Sequence, residues 1–414
     1  MVAGPRAIGA EAGGQRGTGW PRPDVGTTGR IRRSNMTVQD VIIVGAGLAG
    51  LVCAQRLQHA GYQVCLLEKS RGLGGRLATR RINGVPLDHG ARYLSNHGDR
   101  LQQLMAKWQS QGILAPWQPH SFALNAEGVL QAQPTRQSYF VAPAGMNAIG
   151  KQLAQGLTIY RQQRLVGLAL TEQKTWQLTA EMATDQSLVE HHARAVVLAL
   201  PAPQILPILA PLEAIATIQP LRQALATVTY APIITVMAQY ANPQPQGTEP
   251  LLCPPTDPWL VEGHPDTPLF WVGQDSSKRS THEQSEETPL NAEINVVMHS
   301  SAAFAHNWFD LPDLQPIGRA LLAQASEFIA TWLHEPQSWQ VHRWRYGLVE
   351  TPCAEALLTT AQPLPLAACG DWCGSANLDT ALESGWAAAE AIHTALGGEA
   401  LPSFPTGLVN TASD

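Results

Sequence analysis

Three glycines at 45, 47 and 50, an acid at 68 and an arginine behind paired glycines at 74–76 are the residues whose spacing first suggests chemistry. In Gly45-x-Gly47-x-x-Gly50, Gly45 permits a tight turn, Gly47 lets backbone approach a pyrophosphate, and Gly50 lets helix and sheet pack closely. Leu48 and Ala49 complete the turn, whose helix N-terminus suits an anion. Glu68, 23 residues after Gly45, suits a ribose hydroxyl pair and disfavours a 2′-phosphate. The glycine pattern is weak by itself and becomes specific only if a buried strand precedes it and a helix follows.

The surrounding elements meet that condition. Val41 to Val44 is wholly apolar, as expected of a strand buried on both faces. Leu51 to Ala60 reads as a helix stopped by Gly61, and Gln63 to Leu67 is the next strand, ending at Glu68. Further on come a helix around 147–157, strand-like segments at 158–170 and 175–180, and a buried strand at 195–200. Ala195 to Leu212 lacks charge, but four prolines inside it exclude a membrane span and suggest a strand running into a proline-rich loop. In the middle of the chain, 241–268 (eight prolines) and 274–287 (polar and charged) read as loops between strands at 233–238, 269–272 and 294–298. A helical stripe covers 315–333, a strand 339–346, and an alanine-rich helix 382–396. Residues 1–35 lack apolar periodicity and are expected to be a disordered extension.

Composition narrows the class. A net charge of −6 excludes a generally basic nucleic-acid binder and gives no reason to expect an anionic membrane partner. Charged residues make up only 14% of the chain against 44% hydrophobic, so a deep core is expected. Six cysteines without a recognisable export signal point to reduced thiols and a cytoplasmic setting. Cys369 and Cys373, spaced C-x3-C, match neither a redox pair nor a zinc knuckle, so no metal is expected.

Glu68-Lys-Ser-Arg-Gly-Leu-Gly74-Gly75-Arg76 resembles the second fingerprint of glutathione-reductase-like, amine-oxidase-type flavoproteins. Gly370-Asp371 followed by Leu378-Asp-Thr-Ala381 resembles their C-terminal FAD motif. Leu87-Asp-His-Gly90-Ala-Arg-Tyr93, 269–279 with Lys278, 296–301 with His299, and His342-Arg-Trp-Arg-Tyr346 are similar to segments of renalase-like proteins. Arg92 departs from a usual Gln, and the Pro-Gly expected after Lys278 is absent.

The resemblance, covering about 41–396, implies an α/β two-domain FAD-binding fold of glutathione-reductase type with an inserted mixed β-sheet and helices. The cofactor-binding parts would be 36–95, 140–202 and 341–398, the substrate domain 96–139 and 203–340, and 399–414 a tail. FAD would be held non-covalently by Gly45, Gly47, Leu48, Ala49, Gly50, Glu68, Lys69, Gly75, Arg76, Gly90, Ala91, Arg92, Val166, Gly370, Asp371, Asp379, Thr380 and Ala381. The helix starting near 379–381 would aim its N–H groups at the flavin N1/C2=O edge, with Asp379 a competent cap.

Renalases oxidise misreduced dihydronicotinamide dinucleotides to NAD(P)+ with release of hydrogen peroxide. By resemblance, then, hydride would pass from a dihydronicotinamide-type or other small reduced donor to flavin N5, with O2 as acceptor and no protein base required. The alternatives are an amine oxidase or desaturase, which would use Lys278 near N5, and a non-catalytic flavin-binding partner protein. Lys278 stands among Asp275, Arg279 and serines, a setting that favours a solvated loop. Strand alternation puts His342, Trp344 and Tyr346 on one face, where Trp344 or Tyr346 would wall the donor, and Arg343 and Arg345 on the other. His89 is placed at the flavin edge or, more simply, as a turn cap.

Overall fold

Alternation within strand Gln39–Val44 builds a sheet covered on both sides. Val41 and Ile43 enter one core, Ile42 and Val44 the other, and all four are buried. The computed structural model describes residues 31–33, 37–95, 98–134, 138–241, 252–255, 257–279 and 293–401. Its nine-stranded sheet runs Thr158–Arg161, Val64–Glu68, Gln39–Val44, Leu188–Leu198, Trp176–Met182 and Gln163–Leu170, with Leu366–Ala368 also on Leu188–Leu198 and pairing Leu358–Thr360. Helices Leu48–His59, Leu378–Ala395, Asn147–Leu153 and Asp99–Ser110 cover one face. Ala202–Leu209 and Gln219–Ala226 cover the other.

A second sheet of seven strands is inserted between the strands of the first. Its order is Ser338–Thr351, Thr229–Ala241, Glu293–Ser300, Leu269–Gln274, Trp259–Glu262, His120–Leu124 and Leu130–Gln133. The Trp259–Glu262/His120–Leu124 pair is parallel and the rest antiparallel, so the sheet is mixed. One face packs on the nucleotide-binding part through Met237, Leu260, Trp271 and Val297. Helix Gln315–Phe328 closes the other through Ile317, Leu321 and Ala325. The fold class implied by the resemblance is the fold observed.

Several boundaries move. Strand Ser338–Thr351 belongs to the second sheet, whereas the expected boundary at 341 gave it to the cofactor-binding part. Residues 203–228, assigned to the substrate domain, pack instead through Ile205, Leu209, Leu221 and Leu225 on the nucleotide-binding sheet. The expected proline-rich loop after residue 200 is helix Ala202–Leu209 with a 3-10 turn Ala210–Leu212. Pro203 falls in the first turn, where its missing N–H is no loss, and only Pro207 lies inside.

Within the expected loop 241–268, the Pro-free run Trp259–Glu262 becomes a strand; residues 242–251 and 256 lie outside the described residues. Residues 280–287 of the other expected loop also lie outside them. Of the extension expected to be disordered, Ile31–Arg33 pairs in parallel with Leu188–Glu190. Residues 1–30 and 34–36, and 402–414 of the tail, lie outside the described residues.

Candidate active site

The Gly45–Gly50 turn is fixed by contacts that only glycine tolerates. A side-chain carbon on Gly45 (φ 105°) would fall 2.4 Å from the Ala199 carbonyl oxygen, and one on Gly50 2.0 Å from that of Gly45. Helix Leu48–His59 starts at Gly47 with no side-chain cap and no acid in its first turn, the setting in which helix N–H groups receive an anion. The Glu68 carboxylate is held from both sides, accepting from Ala46 N (2.8 Å) and Ser70 N (2.7 Å). Each carboxylate oxygen keeps a lone pair for a ribose hydroxyl.

The second fingerprint folds back onto the first. Gly74 N donates to Ala46 O at 2.8 Å, and a side-chain carbon on Gly75 (φ 59°) would fall 3.1 Å from Gly47 Cα. Arg76 and Asp371 meet in a two-pronged ion pair, 2.6 Å on each prong, although 295 positions apart in sequence. Burial alone would lower the Arg76 pKa, but Asp371 and then Tyr230 raise it, so the guanidinium stays charged. A bare helix N-terminus, a fixed carboxylate and a charged arginine on one strand end fit the adenosine ribose and pyrophosphate of FAD. Gly370 N is held by Ser384 Oγ at 3.0 Å.

The far helix begins differently from expectation. Leu378–Ala395 is capped by Asn377, whose Oδ1 accepts from Thr380 N at 2.8 Å, and Asp379 is not the cap. Ala381 N is bonded to Asn377 O. The first-turn N–H groups left for an anionic edge are therefore those of Leu378 and Asp379, so of the expected stretch 379–381 only Asp379 keeps a free N–H.

Segment Asp88–Arg92 joins cradle and second sheet. Ala91 N donates to Arg76 O (2.7 Å), and His89 N and Gly90 N donate to Ala78 O, tying the loop to the fingerprint. On its other side, the His89 carbonyl accepts from Trp344 Nε1 (2.9 Å) and Thr235 Oγ1 (3.3 Å). The His89 ring stacks on Trp344 with centroids 5.4 Å apart and meets His342 edge-on at 5.0 Å. His89 is thus a buried wall residue as well as a turn residue.

Burial, then His342 and Arg80, lower the His89 pKa to about 3, and burial, then Arg80, lower His342 to about 4. Burial, then Arg92, hold His299 well below the usual histidine range. At neutral pH all three imidazoles are uncharged. Tyr346 lies further along the strand, edge-on to Tyr230 beside Arg76. Arg343 turns to the other face and donates to Phe309 O and Leu311 O, while Arg345 packs over the Phe309 ring.

Lys278 corrects the solvated-loop expectation. It sits in a 3-10 turn, Asp275–Arg279, with no side-chain exposure, and Nζ is 2.8 Å from Asp275 Oδ1. Trp117 and Trp271 rings lie 5.4 and 5.3 Å from Nζ. Arg279 bridges Asp275 (2.5 Å) and Asp88 (2.8 Å), and Asp88 also accepts from Thr79 Oγ1 and Met146 N. Burial would raise the Asp275 carboxyl, but Lys278 and Arg279 outweigh it and hold it low. Burial and then the charge of Asp275 push Asp88 up. Lys69 is exposed and reaches Gln204, and Val166 is an exposed residue at a bulge in Gln163–Leu170.

Asp88, Asp275, Tyr230, His299 and Asn377 were not assigned roles from the sequence, although Asp88, Asp275 and His299 lay in quoted segments. A run such as Asp275-Ser-Ser-Lys-Arg looks hydrophilic in sequence, and only burial on all sides turns it into a charge network. Asn377 had a signal: it precedes the helical run and accepts from the third residue on, the position a cap takes.

Comparison with known proteins agrees with this geometry. A model of an NAD(P)-binding Rossmann-like domain matches residues 43–108, and one of flavin containing amine oxidoreductases matches 111–393. Polyamine oxidase 5 of Oryza sativa subsp. japonica is 41% identical over 68 residues, 16% of this chain and 13% of the relative. The matched stretch spans only 13% to 15% of the length of such curated relatives. Cyclohexylamine oxidase from Brevibacterium oxydans IH-35A shares the fold with a TM-score of 0.62 at 13% identity, covering 87% of this chain and 100% of that one. Wild-type putrescine oxidase bound to putrescine does so with a TM-score of 0.58 at 14% identity over 88% and 100%.

Proposed function

The chain belongs to the flavin-containing amine oxidoreductase family, and from that premise we propose that it is an FAD-dependent oxidase acting at the C–N bond of a small amine, with O2 as electron acceptor. The observation that carries the reading is the double attachment of Asp88–Arg92. Its backbone is bonded to the fingerprint at Arg76 and Ala78, and His89 stacks on Trp344 of the second sheet. Cofactor cradle and aromatic wall thus meet at one loop. When bound, the flavin would supply two-electron redox chemistry, with O2 as the final acceptor.

The protein's part is placement. Glu68 and the helix N-terminus at Gly47 hold the adenosine end, and Arg76 with Asp371 holds the middle. Trp344, clamped by its bond to the His89 carbonyl, orients the donor, since a fixed wall preserves the approach geometry. The uncharged imidazoles of His89, His342 and His299 add no positive charge that would repel an amine.

A dihydronicotinamide donor, which the renalase resemblance implies, is the second reading. In its favour, the two carboxylates behind this wall, Asp88 and Asp275, are taken by Arg279 and Lys278 and leave nothing for a cationic amine. Anaerobic photometry of the FAD-loaded protein tests both. Bleaching of the flavin by amines supports the first reading, bleaching only by dihydronicotinamides replaces it with the second, and no bleaching by any donor rejects both.

A further inference from the structure

Arg92 differs from Lys278 and Arg279 in its surroundings. Its guanidinium carbon lies 4.9 Å from the Phe270 ring, 5.4 Å from Tyr93 and 5.8 Å from Trp271. Among the described residues no carboxylate lies within ion-pair distance of it. Lys278 and Arg279 are neutralised by Asp275 and Asp88, and Glu262, the register partner of Trp271, is exposed and interacts with Tyr93.

The sheet beside it carries buried polar atoms with no hydrogen-bond partner: His299 Nε2 on a residue 5% exposed, and Trp271 Nε1 on one fully buried. His89 Nδ1, 7% exposed, is a third. Trp271 and His299 are register partners with ring centroids 5.6 Å apart, and the charge of Arg92 is felt at His299. Buried groups without partners are uncommon in native proteins and ask for an explanation.

We propose that Arg92 is the anchor for an oxyanion carried by the substrate. The inference rests on the oxidase reading and narrows its substrate class. Arg92 is half-buried, and a guanidinium packed on ring faces keeps its planar edge for a two-pronged bond to a carboxylate or phosphate. The same unpaired charge repels a diamine or polyamine. The oxyanion belongs either to the carboxylate of an α-amino acid-type amine or to a phosphate of a reduced nicotinamide, and the chemistry of the anchor is the same for both.

The test uses FAD-loaded wild type, Arg92→Gln and Arg92→Lys, with melting temperature and flavin content as folding controls. Benzoate, which has a carboxylate but no oxidisable C–N bond, is titrated by flavin difference absorbance and tryptophan fluorescence, and benzylamine serves as the acid-free counterpart. Benzoate should saturate the wild type, lose at least tenfold in affinity in Arg92→Gln and fall between in Arg92→Lys, while benzylamine is unaffected. Equal benzoate affinity in wild type and Arg92→Gln, or no benzoate binding to the wild type, overturns the proposal. If Arg92→Gln fails to hold flavin, the wild type decides: benzoate must compete with the reducing substrate, and a failure to compete overturns it.

Two donor pairs identify the source of the oxyanion. Faster reduction by an α-amino acid than by its decarboxylated amine assigns a carboxylate. Faster reduction by dihydronicotinamide mononucleotide than by the riboside assigns a phosphate. Arg92-dependent benzoate binding without reduction by any donor keeps the anchor and rejects the oxidase reading. Rapid reduction by a diamine, with benzoate indifferent to Arg92, keeps the oxidase and rejects the anchor.

Discussion

Glu68 was legible from spacing alone, because strand length and turn geometry fix where a ribose acceptor must stand. The structure adds that two backbone N–H groups already hold its carboxylate. Glu68→Gln replaces charge-assisted bonds with neutral ones, and FAD affinity should fall by ~1–3 kcal/mol, read by fluorescence of released flavin on dilution. Lys278 was not legible, since neighbouring serines and charges look the same in a solvated loop and in a buried turn. Lys278→Met leaves Asp275 buried with one cation fewer, and the loss of stability should be on the order of 3 kcal/mol. A Lys278→Met/Asp275→Asn variant should recover much of it in chemical unfolding, because the Arg279–Asp88 pair survives. A double variant no more stable than Lys278→Met would show that packing of the lysine stem, not its charge, is what matters.

Among the elements, strands buried on both faces and helices with an apolar stripe were readable because their periods survive in the sequence. Helix Ala202–Leu209 was hidden by its prolines, and Trp259–Glu262 by the prolines around it. The number of prolines does not record that Pro203 falls in the first turn, where its missing N–H is no loss, or that Trp259–Glu262 is itself free of proline. The crossing of Leu48–His59 with Leu378–Ala395 has a sharper requirement. A side-chain carbon at Gly385 would fall 2.2 Å from the Ala49 carbonyl oxygen, and that contact is backbone that cannot rotate away. Gly385→Ala should push the helices apart and cost about 1–3 kcal/mol, with flavin retention falling alongside the melting temperature. An unchanged melting temperature would show that the crossing can slide.

For the whole molecule, the two sheets meet across uncharged histidines. His89 and His342 have pKa values near 3 and 4 in the fold, below the roughly 6.5 of an unfolded chain. Their contribution to stability is therefore fully present above about pH 6.5 and is lost as pH falls through 4 and then 3. Melting temperature should drop between pH 6.5 and 4, and a His89→Gln/His342→Gln protein should show a shallower drop over that interval. Parallel slopes would place the acid sensitivity elsewhere. None of this was visible in His89-Gly90 or His342-Arg-Trp read as segments, because the shift arises from packing two distant stretches together. The two-domain plan was visible, since its motifs lie at both ends of the chain.

The ion pair between Arg76 and Asp371 also has a consequence for biosynthesis. Strand Leu366–Ala368 and helix Leu378–Ala395, which complete the first sheet and cover Leu48–His59, leave the ribosome long after the glycine turn they close on. Until then the opening Rossmann segment has its glycine turn but lacks the apolar lid that Trp386, Ala389 and Ile392 provide. Such long-range closure favours slow folding, with apolar surface exposed while the intermediate waits. Nascent chains should therefore depend on a holdase or on early closure of the second sheet, and flavin should be captured only after helix Leu378–Ala395 has emerged.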